Sequence, residues 1–144
     1  MKTGKVIKLF TTLDDANKTR VSSESITVDN NGVYEDKFYA KDLLRSVLIT
    51  SLESYEIAKK EAIEIEYGSL GENILVDINP YNLVPGETLQ IGETTFEITQ
   101  NCTLCKGLSS VNSKLPKVLK NDRGIFAKVI SGKSKIKIGN VIKI

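Results

Sequence analysis

Short runs in which apolar and polar residues alternate, each closed by a turn-forming residue, recur along almost the whole chain. They begin with "GKVIKLF" near the start and "ESITVDNNGVYE" around Asn30, Asn31 and Gly32. They continue through "RSVLIT", "NILVDI", "ETLQIG" and "TTFEIT", and finish with "GIFAKVI", "SKIKIG" and "NVIKI", where Gly132 and Gly139 mark turns. A period of two sends successive side chains to opposite faces, so each run reads as a strand with one buried face. In "TTFEIT", Phe96 and Ile98 point one way and Thr95, Glu97 and Thr99 the other. Strands this numerous, without alternating strand and helix units, exclude a doubly wound sheet or an α/β barrel. They predict a mostly β fold, a barrel closed or nearly so, with one or two short helices in a single domain over residues 1–144.

The clearest helix follows "VLIT". Thr50 and Glu53 have the spacing of a capping box, Leu52, Tyr55, Ile57 and Ala58 form an apolar face, and the pattern fades by Ala62. A second, shorter helix is predicted in "SSVNSKLPKVLKND", where Pro116 restricts it to starting or breaking at that point.

With 144 residues, 40% of them hydrophobic, the chain can bury a core without disulfides or a structural metal. Its two cysteines, Cys102 and Cys105, are too close to staple a fold, which points to a reducing compartment. No run approaches the roughly 18 apolar residues of a membrane span, and the lysine-containing start lacks the apolar stretch of a signal sequence. The expectation is a soluble cytoplasmic protein with no membrane partner.

There is no histidine. That removes the usual base at neutral pH, the Ser-His and Cys-His pairs, and most zinc and non-haem iron sites. Chemistry would fall to a thiolate, to shifted carboxylates or lysines, to tyrosines, or to a bound cofactor.

Charge is segregated. Residues 1–100 carry 10 basic and 17 acidic side chains, and residues 101–144 carry 10 basic and one acidic. The basic segment either attracts an anionic ligand or complements the acidic part of the same fold. A nucleic-acid surface is not expected, because no aromatic residue lies beyond Phe126 to stack on bases.

Two segments are candidates for chemistry. "GSLGENI", residues 68–74, brings two glycines that allow close backbone approach, with Glu72 and Asn73 at the mouth of a strand; its plain alternative is a turn. Cys105 is followed by Lys106 at the start of the basic segment, so nearby positive charge favours a thiolate able to act as nucleophile or soft-metal ligand. Its plain alternative is an inert buried thiol. A thioredoxin-like couple is not expected, because the pair lacks a βαβ context.

Taken together, "GVYEDKF", "RSVLITSLES", "SLGENILVDI", "LVPGETLQIGETTFEITQNCTLCKGL", "RGIFAKVISG" and "IKIGNVI" have the order and approximate spacing of a MOSC domain. The chain resembles that family from about Gly32 to Ile144, most specifically in "GEN", "PGETLQIG" and "TFEITQ" leading to a cysteine. The family is the C-terminal module of molybdenum-cofactor sulfurases. Some members are fused to a desulfurase dependent on pyridoxal phosphate; others bind the molybdopterin cofactor and reduce N-hydroxylated substrates.

The resemblance implies that Cys105 is the working thiol, both as catalytic residue and as metal ligand. Cys102 stands where relatives often have arginine, and is either idle or resolves a disulfide or persulfide on its neighbour. A molybdopterin-type cofactor would then be held by Asp36, Gly71, Glu72, Asn73, Lys106 and Arg123, the cations serving its phosphate. The implied function is binding such a cofactor or carrying sulfur through Cys105, with reduction of N-hydroxylated substrates in view. The alternative is a carrier of sulfur or cofactor without turnover. The implied partners are the cofactor or a protein of its biosynthesis and a redox partner, and pyridoxal phosphate is not expected in this chain alone. Where relatives show a stretch like G-D-x-H-A-G this chain has "EDKFYA", so Asp36 remains but Phe38 fills the histidine position.

Overall fold

The structure is a computed structural model that describes residues 2–17, 19–102, 111–120 and 122–144. Cys105 and Lys106, two of the expected site residues, lie outside the described residues. The expected barrel is present. Seven strands close on themselves: β1 (Thr3–Thr12), β6 (Ile74–Val76), β5 (Val47–Ser51), β9 (Ile125–Val129), β8 (Thr94–Asn101), β7 (Thr88–Ile91) and β11 (Val141–Lys143), which returns to β1. A short β2 (Arg20–Ser23) extends the sheet beside the second half of β1. A separate three-stranded sheet, β10 (Ser134–Lys137), β3 (Ser25–Asp29) and β4 (Gly32–Val33), adds Ile26, Val28, Val33 and Ile136 to the same core.

Every pairing is antiparallel except β5 with β6. A parallel pair needs a crossover, and residues 52–73 supply it, beginning with helix α1 (Leu52–Lys60). Alternation holds where only one face is buried. In β8, Thr94, Phe96 and Ile98 are buried while Thr95, Glu97 and Thr99 are half-buried. It disappears in β5 and β6, which are buried throughout because the crossover and neighbouring loops cover their outer face. Residues 9–12 of β1 are also continuously buried, beyond an irregularity between Val6 and Lys8.

The start of α1 differs from the sequence expectation. The cap is Ser51, whose hydroxyl accepts from the Glu53 N–H at 3.1 Å, and not Thr50. The Thr50 hydroxyl instead donates to Glu72 Oε2 at 3.0 Å, a buried partner that local spacing does not reveal. The helix ends as Ala62 takes a left-handed φ of 60° and the Ile63 N–H returns to the Ala58 carbonyl. Its apolar face packs Tyr55 and Ala58 on Leu70 and Leu75, together with Leu115 and Leu119. Those last two belong to the short second helix α2 (Leu115–Val118) and its C-cap, and Pro116 sits in its first turn as expected. Among the described residues no helix is long and apolar enough to cross a membrane.

Candidate functional site

On β5, Val47 and Ile49 enter the barrel core while Leu48 points outward; on β9, Ile125 and Ala127 enter it while Phe126 points outward. Leu48 and Phe126 line a cavity of about 360 Å³ on the outer wall, bounded also by Asp36, Phe38, Arg45, Gly71, Asn73 and Arg123. Four of the expected cofactor-binding residues, Asp36, Gly71, Asn73 and Arg123, therefore meet at one cavity although they are spread from position 36 to position 123 of the sequence. Glu72 does not line it.

Asn73 fixes the wall. Its side-chain oxygen accepts from the Leu48 N–H at 3.1 Å, and its amide nitrogen donates to the Phe10 carbonyl at 3.2 Å and to Asp36 Oδ1 at 3.3 Å. Its own N–H and carbonyl bond to the Leu48 carbonyl and the Phe10 N–H. One residue thus joins β1, β5 and β6 where they diverge. Asp36 accepts further bonds from the Thr12 N–H at 2.7 Å and the Phe38 N–H at 3.0 Å, so its carboxylate anchors the segment that carries Phe38.

Glu72 turns the other way and is fully buried. Its Oε2 accepts from Thr50, from the Tyr55 hydroxyl and from the Gly68 N–H, while Oε1 has no hydrogen-bond partner. Burial pushes the Tyr55 hydroxyl far above its ordinary pKa, and the negative charge and hydrogen bond of Glu72 push it further. Arg20, which sequence reasoning missed, sits over the Phe10 ring at 5.3 Å and donates to Thr12 Oγ1 at 2.9 Å, to the Gly68 carbonyl and to the Glu72 carbonyl. Burial lowers its pKa, opposed by Glu72, Asp36 and Tyr55. Gly68 is required beneath it, because at φ +94° an added Cβ would sit 3.0 Å from the Phe10 ring. The only local sign of Arg20 was an arginine opening a short strand; the two carbonyls it binds are about 50 residues away.

Arg123 is 5% exposed. It donates through one terminal nitrogen to the Leu70 carbonyl at 2.9 Å and through the other to Cys102 Sγ, and among the described residues its Nε has no partner. Among the described residues it makes no ion pair. A buried guanidinium that makes no ion pair among the described residues and lines an open cavity is held at an electrostatic cost that an entering anion would relieve. Gly71 turns beside it at φ +85°, its Cβ direction 4.0 Å from the guanidinium. A second cation, Arg45, stacks on the Phe126 ring at 4.9 Å. Cys102 is buried between Leu48 and Phe126, its N–H bonded to the Gly124 carbonyl at 3.0 Å.

The volume lies in the range of about 300–1,000 Å³ typical of small-molecule sites. Two guanidiniums suit an anionic group and two phenyl rings suit a flat one. Among the described residues no three of His, Cys, Asp and Glu cluster to hold a metal ion. The lining therefore suits a flat molecule that carries an anionic group.

Fold and cavity together define a small closed β-barrel with a cation-lined cavity on its outer wall. The chain belongs to the MOSC domain family, whose model matches residues 36–143. Among solved structures, the YUAD protein from Bacillus subtilis is similar at 18% identity and a TM-score of 0.83, over 98% of this chain and 94% of that one. YiiM from Geobacillus stearothermophilus (13% identity, TM-score 0.71) and YiiM from Escherichia coli (19%, 0.70) are similar over 98% and 99% of this chain and 75% and 69% of theirs. At these identities the likeness shows the fold. No curated protein sequence matches. Family membership gives the chain a function related to the molybdenum cofactor.

Proposed function

We propose that the cavity beside Arg123 binds a molybdopterin-type cofactor, and that Cys105 supplies the thiolate that ligates its metal or carries its sulfur. The observation that carries this reading is the buried guanidinium of Arg123, without an ion-pair partner among the described residues and lining one cavity with Asp36, Gly71 and Asn73. Arg123 and Arg45 bind the anionic group, Phe126 and Phe38 flank its flat part, and Asn73 and Asp36 hold the wall rigid through bonds to backbone. Glu72 acts from behind, fixing the turn that presents Gly71. Bound there, the group would supply two-electron chemistry at molybdenum, with a redox partner restoring the electrons.

Cys105 follows Cys102 by three residues, and three residues of chain reach at most about 11 Å. Cys102 accepts a hydrogen bond from Arg123, so that reach supports Cys105 as the thiol serving this cavity.

The test is molybdenum and pterin analysis of chain produced in a molybdenum-replete host, compared with Cys105→Ser. Near-stoichiometric cofactor in the native chain with metal lost from the variant is the expected result. Absence of both metal and pterin from the native chain would overturn it.

A further inference from the structure

Between α1 and the segment that leaves it lies a second concavity, an open groove of about 700 Å³. Leu52, Tyr55, Ile63 and Ile65 give it an apolar floor, and Glu56, Glu64 and Glu66 stand along it against a single Lys59. It shares no lining residue with the cavity beside Arg123.

The segment "IEIEY", residues 63–67, is built like a strand that has no partner. Ile63 is buried, Ile65 half-buried, and Glu64 and Glu66 exposed, which is the alternation of a chain with one face down. It belongs to neither sheet. The Ile63 N–H closes the helix and the Glu66 carbonyl accepts from Ser69, but the N–H and carbonyl groups of Glu64 and Ile65 make no hydrogen bond within the described residues. Tyr67 remains 45% exposed beside Tyr55, its ring edge-on at 5.0 Å. Solvated backbone edges of this kind are where extended peptides add as strands, the backbone supplying affinity and alternate side chains supplying selectivity.

We propose that this groove is a docking site for an extended segment of a partner protein that carries lysine or arginine at alternate positions and apolar residues between them. Five residues of strand span about 16 Å, enough to place two basic side chains opposite Glu64 and Glu66 while the intervening apolar residue meets Ile65 and Tyr67. Three carboxylates against one ammonium set the charge selection. The site is independent of the cofactor reading.

The test titrates the 15N-labelled chain with acetyl-(Lys-Val)3-amide. Expected are amide shifts and slowed hydrogen exchange confined to residues 63–67 and α1, no response to the glutamate analogue, and loss with a peptide N-methylated on its pairing edge. The E64K/E66K double variant should bind at least tenfold more weakly while keeping the native circular dichroism melt and, if the chain carries cofactor, its cofactor content. No localised response at millimolar peptide, or a response unchanged in the double variant, would overturn the proposal. So would self-association in sedimentation accompanied by concentration-dependent hydrogen-exchange protection of the same amides without peptide.

Discussion

Two arginines grip the same turn, and they differ in what surrounds their charge. Neither makes an ion pair among the described residues, but Arg20 donates to the carbonyls of Gly68 and Glu72 where the Glu72 and Asp36 carboxylates act on its charge, whereas Arg123 donates to the carbonyl of Leu70 and to Cys102 Sγ and lines a cavity. Among the described residues both leave Nε without a partner. A buried charge that is compensated holds a fold together, whereas one left open toward a cavity is an investment in a ligand. The difference sets scaffold against proposed site around carbonyls only two positions apart.

That distinction can be broken by exchanging each cation for an isosteric apolar side chain. Arg20→Met should cost about 3 kcal/mol of stability, read as a lowered urea midpoint, because the carbonyls of Gly68 and Glu72 lose their donor inside the wall and the Glu72 carboxylate loses a nearby cation. Equal stability for the variant would erase the contrast. Arg123→Met should leave the urea midpoint of cofactor-free protein unchanged or raised, since a lone buried charge is removed, while lowering molybdenum and pterin content at least tenfold, or about 1.4 kcal/mol. A stability loss as large as that of Arg20→Met would assign both arginines to the scaffold.

The smallest effect is in the pH profile. Tyr55 keeps its proton in the folded chain to a pH well above its ordinary pKa of 10.0, whereas the unfolded chain releases it there. Its contribution is therefore fully present below about pH 10 and falls as pH rises beyond it. Tyr55→Phe should flatten that alkaline limb of the stability curve, at a cost of about 1 kcal/mol at neutral pH for the lost hydrogen bond to Glu72. An unchanged limb would mean that the Glu72 side of the turn is more open to water than its burial implies.

The barrel was legible because alternation is a local signal: Phe96 and Ile98 against Thr95 and Glu97 can be read without knowing the neighbours. Asp36, Gly71, Asn73 and Arg123 were legible through the family's motifs, and the cavity that joins them could not be seen in any one of them. Arg20 and the cap at Ser51 were not legible, for one physical reason. Each depends on Glu72, which takes the hydroxyl of Thr50 away from the helix start and draws Arg20 to its carbonyl from 52 positions away. Spacing rules describe neighbours along the chain, and Glu72 satisfies partners drawn from three separate elements.

The closure of the barrel bears on how the protein comes off the ribosome. β1 is made before the strand that seals it to β7, which is β11, residues Val141–Lys143. Until those residues emerge, the nascent sheet has two open edges, one on β1 and one on β7, each able to pair with the wrong chain. The growing barrel must therefore be shielded from the making of β7 until β11 emerges, and truncation just short of β11 should yield insoluble protein, not a slightly weakened barrel.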